Sequence, residues 1–133
     1  MKTAIFDIDV TLIDSKWNGL IHNTVEKLKE LKNLGYCIVI LTNRDKEAFW
    51  IETKNDLSSL PYDYLFLRDS KRFNVDENVE FKKSIILKLK LKDHVIEYFF
   101  DDQDDNLMMA IELKIPNVIK VENGKFEEGR GYA

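Results

Sequence analysis

Short apolar runs alternate with amphipathic segments along most of this 133-residue chain. The apolar runs predict five buried strands, over residues 2–7, 36–41, 64–67, 95–100 and 117–121. The segments between them predict helices over about 23–34, 45–57, 80–91 and 104–113. Strands that alternate with helices form a parallel sheet with helices on both faces. The sequence therefore predicts a single α/β domain over residues 1–133, Rossmann-like and three-layered, with a central parallel sheet of about five strands.

Local signals refine three parts of this prediction. In the first helix, Asn23 and Glu26 have the spacing of a capping box. The second helix offers a set of apolar positions for the core, namely Ala48, Phe49, Ile51 and Leu57. The tail from Asn123, with three glycines in nine residues, is predicted to be irregular.

Polar side chains follow three of the predicted strands at the point where each strand ends. Asp7 and Asp9 stand at the end of the first strand, Thr42-Asn43-Arg44 follow the second, and Asp101-Asp102 follow the fourth. Ligands of open parallel sheets bind outside the carboxyl ends of the strands. Three separate polar clusters therefore fall on the same edge of the sheet, which indicates one functional site.

The paired carboxylates of this edge call for a cation. Acidic side chains at the end of a buried strand are costly unless a positive charge lies between them. Oxygen ligands of this kind suit Mg²⁺ above other metals. We predict a Mg²⁺ site in which Asp7, Asp9 and Asp102 are the ligands, and in which Asp101 or Asp105 are open as further members of the metal shell.

These residue types can carry out phosphoryl transfer. Asp7 is placed to attack phosphorus as the nucleophile, and Asp9 to protonate the leaving oxygen and then take a proton from water. Thr42 offers a hydroxyl and backbone amides to the phosphate, and a lysine would balance its charge. Lys82 and Lys83, in the helix before the fourth strand, are the two candidates for that lysine.

The motifs resemble those of the haloacid dehalogenase (HAD) superfamily of aspartyl-phosphate phosphatases. DIDVTL at 7–12 is similar to motif I, LTNR at 41–44 to motif II, Lys82 to motif III and FFDDQDD at 99–105 to motif IV. They occur in the family's order and cover nearly the whole chain. The short stretch between motifs I and II, and the lack of a large later insertion, resemble a capless member. Val10 stands where glycine is common in the family.

Within the superfamily, the chain most resembles the 3′-phosphatase domain of phage-type polynucleotide kinase. The likeness lies in GYCIVILTNR at 35–44 and LRDSKRFNVDENVEFKK at 67–83. It implies that Asp9 binds the metal through its backbone carbonyl and that the motif III lysine is Lys82. The predicted substrate-binding residues are Thr11, Asn43, Arg44 and Arg68. The implied enzyme is a Mg²⁺-dependent phosphomonoester hydrolase acting on polynucleotide 3′-phosphate ends, and Lys71, Arg72 and Trp17 are further candidate polynucleotide contacts.

Three alternatives stay open at this point. The chain is also consistent with a HAD phosphatase of mononucleotides or other small phosphomonoesters. A receiver-like regulatory domain uses similar residue types, but no aspartate directly ends the strand at 64–67 and the candidate lysines precede the fourth strand. A catalytically silent phosphate-binding domain would carry the same motifs without turnover.

Composition narrows the class of protein. The net charge of −4 and the pI of about 5.2 give no global basic surface for duplex binding. Cys37 is the single cysteine, so an internal disulfide is excluded and a reducing compartment is expected. No apolar run approaches the roughly 20 residues that span a bilayer. With no leader-like segment before the first strand, we expect a cytoplasmic protein that contacts no membrane, and no obligate protein partner is evident.

Overall fold

The computed structural model of the protein describes residues 1–14 and 19–128. The strands of this part are β1 (Lys2–Phe6), β2 (Cys37–Asp45), β3 (Tyr64–Arg68), β4 (Val95–Asp101), β5 (Asn117–Glu122) and β6 (Lys125–Glu128). Its α-helices are α1 (His22–Asn33), α2 (Lys46–Asp56), α3 (Asn78–Leu91) and α4 (Asp104–Glu112). A short 3₁₀ turn, Val75–Glu77, leads into α3.

The strands form one sheet in the order β3-β2-β1-β4-β5-β6. All pairs from β3 to β5 are parallel. The chain moves outward from β1 to β3 and then returns to the other side of β1 to form β4. This reversal opens a crevice at the carboxyl end of β1, between β2 and β4, where ligands of such sheets bind. The predicted α/β three-layer fold is confirmed.

Two apolar clusters cover the two faces of the sheet. Along β1, Ala4 and Phe6 belong to the cluster that includes the α1 side chains Val25, Leu28 and Leu31. The intervening residue Ile5 belongs to the cluster formed with α3 and α4, whose members include Phe81, Ile86, Leu107 and Ala110. Because successive side chains of a strand point to opposite faces, β1 is buried on both sides and forms a fixed base for the residues that follow it.

The prediction of an irregular tail is wrong for residues 125–128, which form the antiparallel edge strand β6 beside β5, while residues 129–133 of that tail lie outside the described residues. The two strands are joined by Asn123 and Gly124, which both adopt positive φ values, 52° and 75°. An Asn-Gly pair with both residues in the left-handed region is the preferred two-residue hairpin turn. The sheet therefore has six strands rather than about five.

Two expectations about the helices are also wrong. The N-cap of α1 is Ile21 and makes no side-chain cap bond, while Asn23 lies inside the helix and donates to the Gly124 carbonyl at 2.8 Å. The Asn23 side chain is thus bound by the β5–β6 turn and does not cap α1. In α2, Leu57 at the C-cap is buried as predicted, but Ala48, Phe49 and Ile51 are exposed. The N-terminal part of α2 therefore extends past the edge of the sheet instead of packing on it.

Within residues 1–14 and 19–128, no helix combines the length and the apolar character that crossing a membrane requires.

Candidate active site

The register of the central strands brings two carboxylates together. Phe6 of β1 pairs with Phe100 of β4, and their rings stack with centroids 4.4 Å apart. The next residues, Asp7 directly after β1 and Asp101 at the end of β4, therefore lie side by side. The backbone N–H of Asp7 donates to the Phe100 carbonyl at 3.0 Å, which continues the β1–β4 pairing to the start of the site.

A buried lysine lies between these carboxylates. Lys82, on α3, is 1% exposed, and its Nζ donates to Asp7 Oδ1 at 2.9 Å and to Asp101 Oδ2 at 2.8 Å. Its neighbour Lys83 is exposed. A lysine is tolerated at such depth because both of its partners are charged and within hydrogen-bond distance. The structure thus places Lys82, and not Lys83, beside the predicted nucleophile.

Burial changes the acid–base behaviour of this group. Burial raises the pKa of Asp7 well above its ordinary value, the negative charge of Asp101 raises it further, and Lys82 only partly opposes this shift. Burial also raises the pKa of Asp102. For Lys82, burial alone would lower the pKa, but Asp101 and Asp7 outweigh burial and the pKa is raised. Lys82 therefore stays protonated as an ammonium. Its single positive charge does not balance the negative charges of the neighbouring carboxylates.

The carboxylates fit a divalent cation. Asp7, Asp101 and Asp102 each offer an oxygen, and these oxygens lie within 4.8 Å of one another. Three carboxylates against one ammonium leave two uncompensated negative charges when all are ionised. An all-oxygen donor set with this charge is the kind that binds Mg²⁺. Asp101 thus joins two of the predicted ligands, whereas the carboxylate of Asp9 does not belong to this group.

The Asp9 side chain is instead held by an arginine. Arg44, at the end of β2, donates from Nη2 to Asp9 Oδ1 at 2.8 Å and from Nε to Asp9 Oδ2 at 3.1 Å. Its Nη1 donates to Thr53 Oγ1 at 3.1 Å and to Asp56 Oδ2 at 3.0 Å, both on α2. The hydrogen bonding of Arg44 to the Asp9 carboxylate contributes most to raising the pKa of Arg44, which is a permanent cation here. Arg44 therefore fixes the position of Asp9 relative to α2.

A cavity of about 320 Å³ opens beside these residues. Asp7, Asp9 and Asp102 line it, together with Thr42 and Asn43 at the end of β2. Thr42 is 1% exposed, and its Oγ1 accepts from the backbone N–H of Arg44 at 3.2 Å. The further lining residues are Val10, Asn78, Gln103, Asp105 and Asn106. The cavity is therefore lined by carboxylates together with hydroxyl and amide groups.

Two amide side chains that line this cavity beside Asn43, those of Asn78 and Asn106, were not predicted from the sequence. The Oδ1 atoms of Asn43, Asn78 and Asn106 are buried and have no hydrogen-bond partner among residues 1–14 and 19–128. Asn78 starts α3, one turn before Lys82, and Asn106 lies in the first turn of α4. That one-turn spacing from Lys82 is a signal that could have pointed to Asn78. For Asn106, the position directly after Asp105 was the only such signal.

Besides Arg44, two further predicted substrate-binding residues lie outside the cavity lining. Thr11 is fully buried, and its Oγ1 has no hydrogen-bond partner within the described residues. Arg68 is 7% exposed and donates from Nε to the Asn43 carbonyl at 3.2 Å and from Nη1 to the Phe73 carbonyl at 2.7 Å. In this structure Arg68 supports the backbone of Asn43, while substrate contact by either residue stays a prediction. Trp17 lies outside the described residues.

The loop between β1 and α1 contains a strained residue. Val10 has a φ of 67°, in the left-handed region that β-branched residues avoid. Its N–H donates to the Ile13 carbonyl at 2.8 Å, and the Ile8 carbonyl accepts from the N–H groups of Thr11, Leu12 and Ile13. This tight turn directs the backbone after Asp9 back toward the sheet, so the conformation of Val10 is set by the site rather than by its own preference.

Comparison with known proteins gives fold-level similarity. No protein-family model matches the chain, and no curated protein matches it. The fold is similar to a chain in the structure of the Pnkp1/Rnl/Hen1 complex, with a TM-score of 0.77 and 25% sequence identity over 86% of this chain. It is similar also to a chain in the structure of the Pnkp1/Rnl/Hen1 RNA repair complex, with a TM-score of 0.74 and 24% identity over 86% of this chain. This chain covers 43% and 40% of those chains, which is less than half of their length.

Proposed function

We propose that this chain is a Mg²⁺-dependent phosphomonoester hydrolase of the HAD type that removes phosphate from polynucleotide 3′ ends. The observation that carries the proposal is the contact of the buried Lys82 ammonium with Asp7, 2.9 Å apart, in a cluster of three carboxylates at the crevice of the sheet. The resemblance of the four motifs to HAD phosphatases supports the reaction type. The fold similarity to chains of an RNA repair complex supports the class of substrate.

The first half of the reaction forms a phosphorylated enzyme. An Asp7 carboxylate oxygen attacks phosphorus, the bond from phosphorus to the leaving oxygen breaks, and the leaving oxygen takes a proton from Asp9. The Lys82 ammonium holds Asp7 in place, while Thr42 and the backbone amides at the end of β2 donate to the phosphoryl oxygens. Asp7, Asp101 and Asp102 would hold Mg²⁺, which neutralises charge on the phosphoryl group when bound.

The second half releases phosphate. Asp9, now a carboxylate, takes a proton from a water molecule, whose oxygen attacks the phosphorus of the aspartyl-phosphate. The bond between Asp7 and phosphorus breaks, and the Asp7 carboxylate is restored. The two hydrogen bonds from Arg44 hold the Asp9 carboxylate in a fixed orientation during this half-reaction. In the first half-reaction Asp9 carries a proton, which weakens its ion pair with Arg44. The Arg44 guanidinium is then available to the substrate.

The proposal is tested by phosphate release with Mg²⁺ from three substrates, namely a 3′-phosphorylated oligonucleotide, a 3′-mononucleotide and an aryl phosphate. We expect turnover by the wild type with a preference for the oligonucleotide. Asp7→Asn should abolish turnover because an amide does not replace a carboxylate nucleophile, while Asp76→Asn, on an exposed aspartate outside the cavity, is the matched control.

The outcomes separate the alternatives. Equal or better turnover of the small substrates would keep the phosphatase mechanism and overturn the polynucleotide assignment. Absence of turnover in the wild type with every substrate would favour a silent phosphate-binding domain. Near-full activity of Asp7→Asn would overturn the assignment of the nucleophile.

A further inference from the structure

The outer surface of α2 carries an aromatic side chain between two lysines. Trp50 is 36% exposed, and among the residues of α2 itself only Thr53 is buried. The Nζ atoms of Lys46 and Lys54 lie 6.0 Å and 5.5 Å from the centre of the Trp50 ring. Residues four apart share one face of a helix, so the three side chains form a continuous line. In the described part of the chain, these ammonium groups contact the indole rather than a carboxylate.

A cavity of about 420 Å³ separates this line from the segment after β3. It is lined by Lys46, Glu47, Trp50, Asp69 and Lys71. We call Lys46, Trp50, Lys54 and Lys71 the α2 strip.

The carboxylates of this cavity are already engaged within the protein. Glu47 Oε1 lies 3.3 Å from the Lys71 Nζ, and Asp69 Oδ1 accepts from the Lys71 backbone N–H at 3.1 Å. The side chains of the Glu47–Lys71 pair are 62% and 79% exposed, so this pair contributes little and Lys71 is free to exchange it for another anion. The α2 strip thus offers three mobile ammonium groups around one aromatic ring.

The α2 strip lies at the same edge of the sheet as the active-site cavity. Asp45 and Arg68, the last residues of β2 and β3, pair with each other, and α2 begins directly after Asp45. Asn43 lines the active-site cavity, while Lys46, three residues later, lines the second one. The two cavities are therefore neighbours along the carboxyl ends of adjacent strands, and a linear ligand can occupy both.

We propose that the α2 strip binds single-stranded nucleic acid on the 5′ side of the terminal phosphate, with a base stacked on Trp50 and with Lys46, Lys54 and Lys71 on the backbone phosphates. This inference rests on the proposed function for its polarity, because the 3′ end must lie at Asp7. Aromatic rings interleaved with cations are the usual device for holding a strand without sequence preference. When a strand binds, Lys46 and Lys54 move from the Trp50 ring to backbone phosphates. One face of the ring is then open to a base.

The test uses the full chain and two readouts. Anisotropy of a fluorescein-labelled octanucleotide without a 3′-phosphate measures strand binding, and kcat/KM is measured for a 3′-phosphorylated octanucleotide and a 3′-mononucleotide. Trp50→Ala should weaken octanucleotide binding and lower its kcat/KM by about tenfold. It should leave kcat/KM for the mononucleotide unchanged. The matched control is Ile51→Ala, because Ile51 is 75% exposed on another face of the same helix.

Salt dependence gives a second measurement. The plot of log affinity against log salt concentration has a negative slope. The double variant Lys46→Ala/Lys54→Ala should make this slope shallower by about 0.7 for each lost phosphate contact. Lys88→Ala, on an exposed lysine of α3, should not change this slope.

Octanucleotide binding that is unchanged by Trp50→Ala, or equally weakened by Ile51→Ala, would overturn the α2 strip. Trp50-dependent binding without phosphate release from any substrate would overturn the proposed function and retain the strip as a strand-binding surface. Turnover of all substrates with no octanucleotide binding would retain the proposed phosphatase activity and overturn the α2 strip as a strand-binding surface. A protein partner would then be the alternative ligand of α2.

Discussion

The Arg44 guanidinium binds the Asp9 carboxylate through two hydrogen bonds, of 2.8 Å from Nη2 and of 3.1 Å from Nε. This fork geometry is specific to arginine, since a lysine ammonium offers only a single point of contact. The orientation of Asp9 therefore depends on the shape of its partner as well as on its charge.

Arg44→Lys tests this dependence. Because hydrogen bonds to charged groups contribute about 1.5–3 kcal/mol, we expect kcat/KM to fall by roughly tenfold to a hundredfold although the charge is kept. Steady-state phosphate release measures this loss, and Lys29→Arg, at an exposed lysine of α1 outside the cavity, is the charge-conserving control. Equal activity of wild type and Arg44→Lys would show that charge alone suffices.

Removing the buried lysine should destabilise the fold. Lys82→Ala leaves Asp7 and Asp101 without their shared partner, and the loss of one member of a buried ion pair costs about 3–5 kcal/mol. Lys83→Ala, on the exposed neighbour, should change stability by less than about 0.5 kcal/mol. Urea unfolding gives both values, and equal small effects would mean that Lys82 is not the lysine of the site.

The raised pKa of Asp7 predicts a pH-dependent cost to stability. In the unfolded chain this carboxyl has an ordinary pKa of 3.8, whereas burial first, and then Asp101, raise its pKa in the folded protein. Between the two values the folded state binds more protons, so this group's contribution to stability is lost as the pH rises through the folded pKa. Without divalent metal, Asp7→Asn should therefore have a higher Tm than the wild type at pH 8.

The same comparison near pH 3 supplies the control for that measurement. There the carboxyl is protonated in both states, so the difference in Tm should shrink. A difference that is the same at both pH values would show that packing, and not ionisation, separates the two proteins.

Magnesium should stabilise the wild type, and more so at higher pH. The raised pKa values of Asp7 and Asp102, both caused first by burial, mean that protons compete with the metal for these oxygens. We expect the gain in Tm on adding Mg²⁺ to be larger at pH 8 than at pH 5, and to be reduced in Asp102→Asn. Differential scanning fluorimetry measures it, and an equal gain at both pH values would argue for binding elsewhere.

Relief of strain in the motif I turn should be measurable. Val10 has a φ of 67°, which glycine adopts at no steric cost. Because a left-handed non-glycine residue costs of order 1–3 kcal/mol and glycine loses part of that gain through unfolded-state entropy, Val10→Gly should stabilise the protein by about 1 kcal/mol. Thermal unfolding measures this, and a lower Tm would show that the Val10 side chain makes contacts that outweigh its strain.

The sequence predicted the features that depend on local pattern and on strand ends. The apolar residues of β1, β2 and β4 identify these strands, and the polar residues after them meet at one edge because parallel strands end together. Lys82 was preferred over Lys83 by resemblance, and the structure places it 2.9 Å from Asp7. The site residues nevertheless remain predictions of role, which the experiments above address.

What the sequence did not reveal depends on contacts between distant elements. Phe49 and Ile51 have the apolar character of core residues, but α2 starts beyond the edge of the sheet and leaves them 42% and 75% exposed. Asn23, predicted as the cap of α1, instead donates its side-chain N–H to the Gly124 carbonyl, 101 positions away. The β6 strand was missed although Asn123-Gly124 is a strong hairpin signal, because the later glycines suggested an irregular tail.

Arg44 uses its remaining nitrogen, Nη1, to bind Thr53 and Asp56 of the helix that carries Trp50. One side chain thus joins the proposed general acid to the helix that we propose holds the strand. If strand binding shifts α2 relative to β2, it alters how Arg44 orients Asp9. By reciprocity, a phosphate group whose binding fixes Asp9 must change the affinity of α2 for the strand by the same free energy. A long substrate would then help to position the general acid that acts on its own terminal phosphate, and a mononucleotide would not.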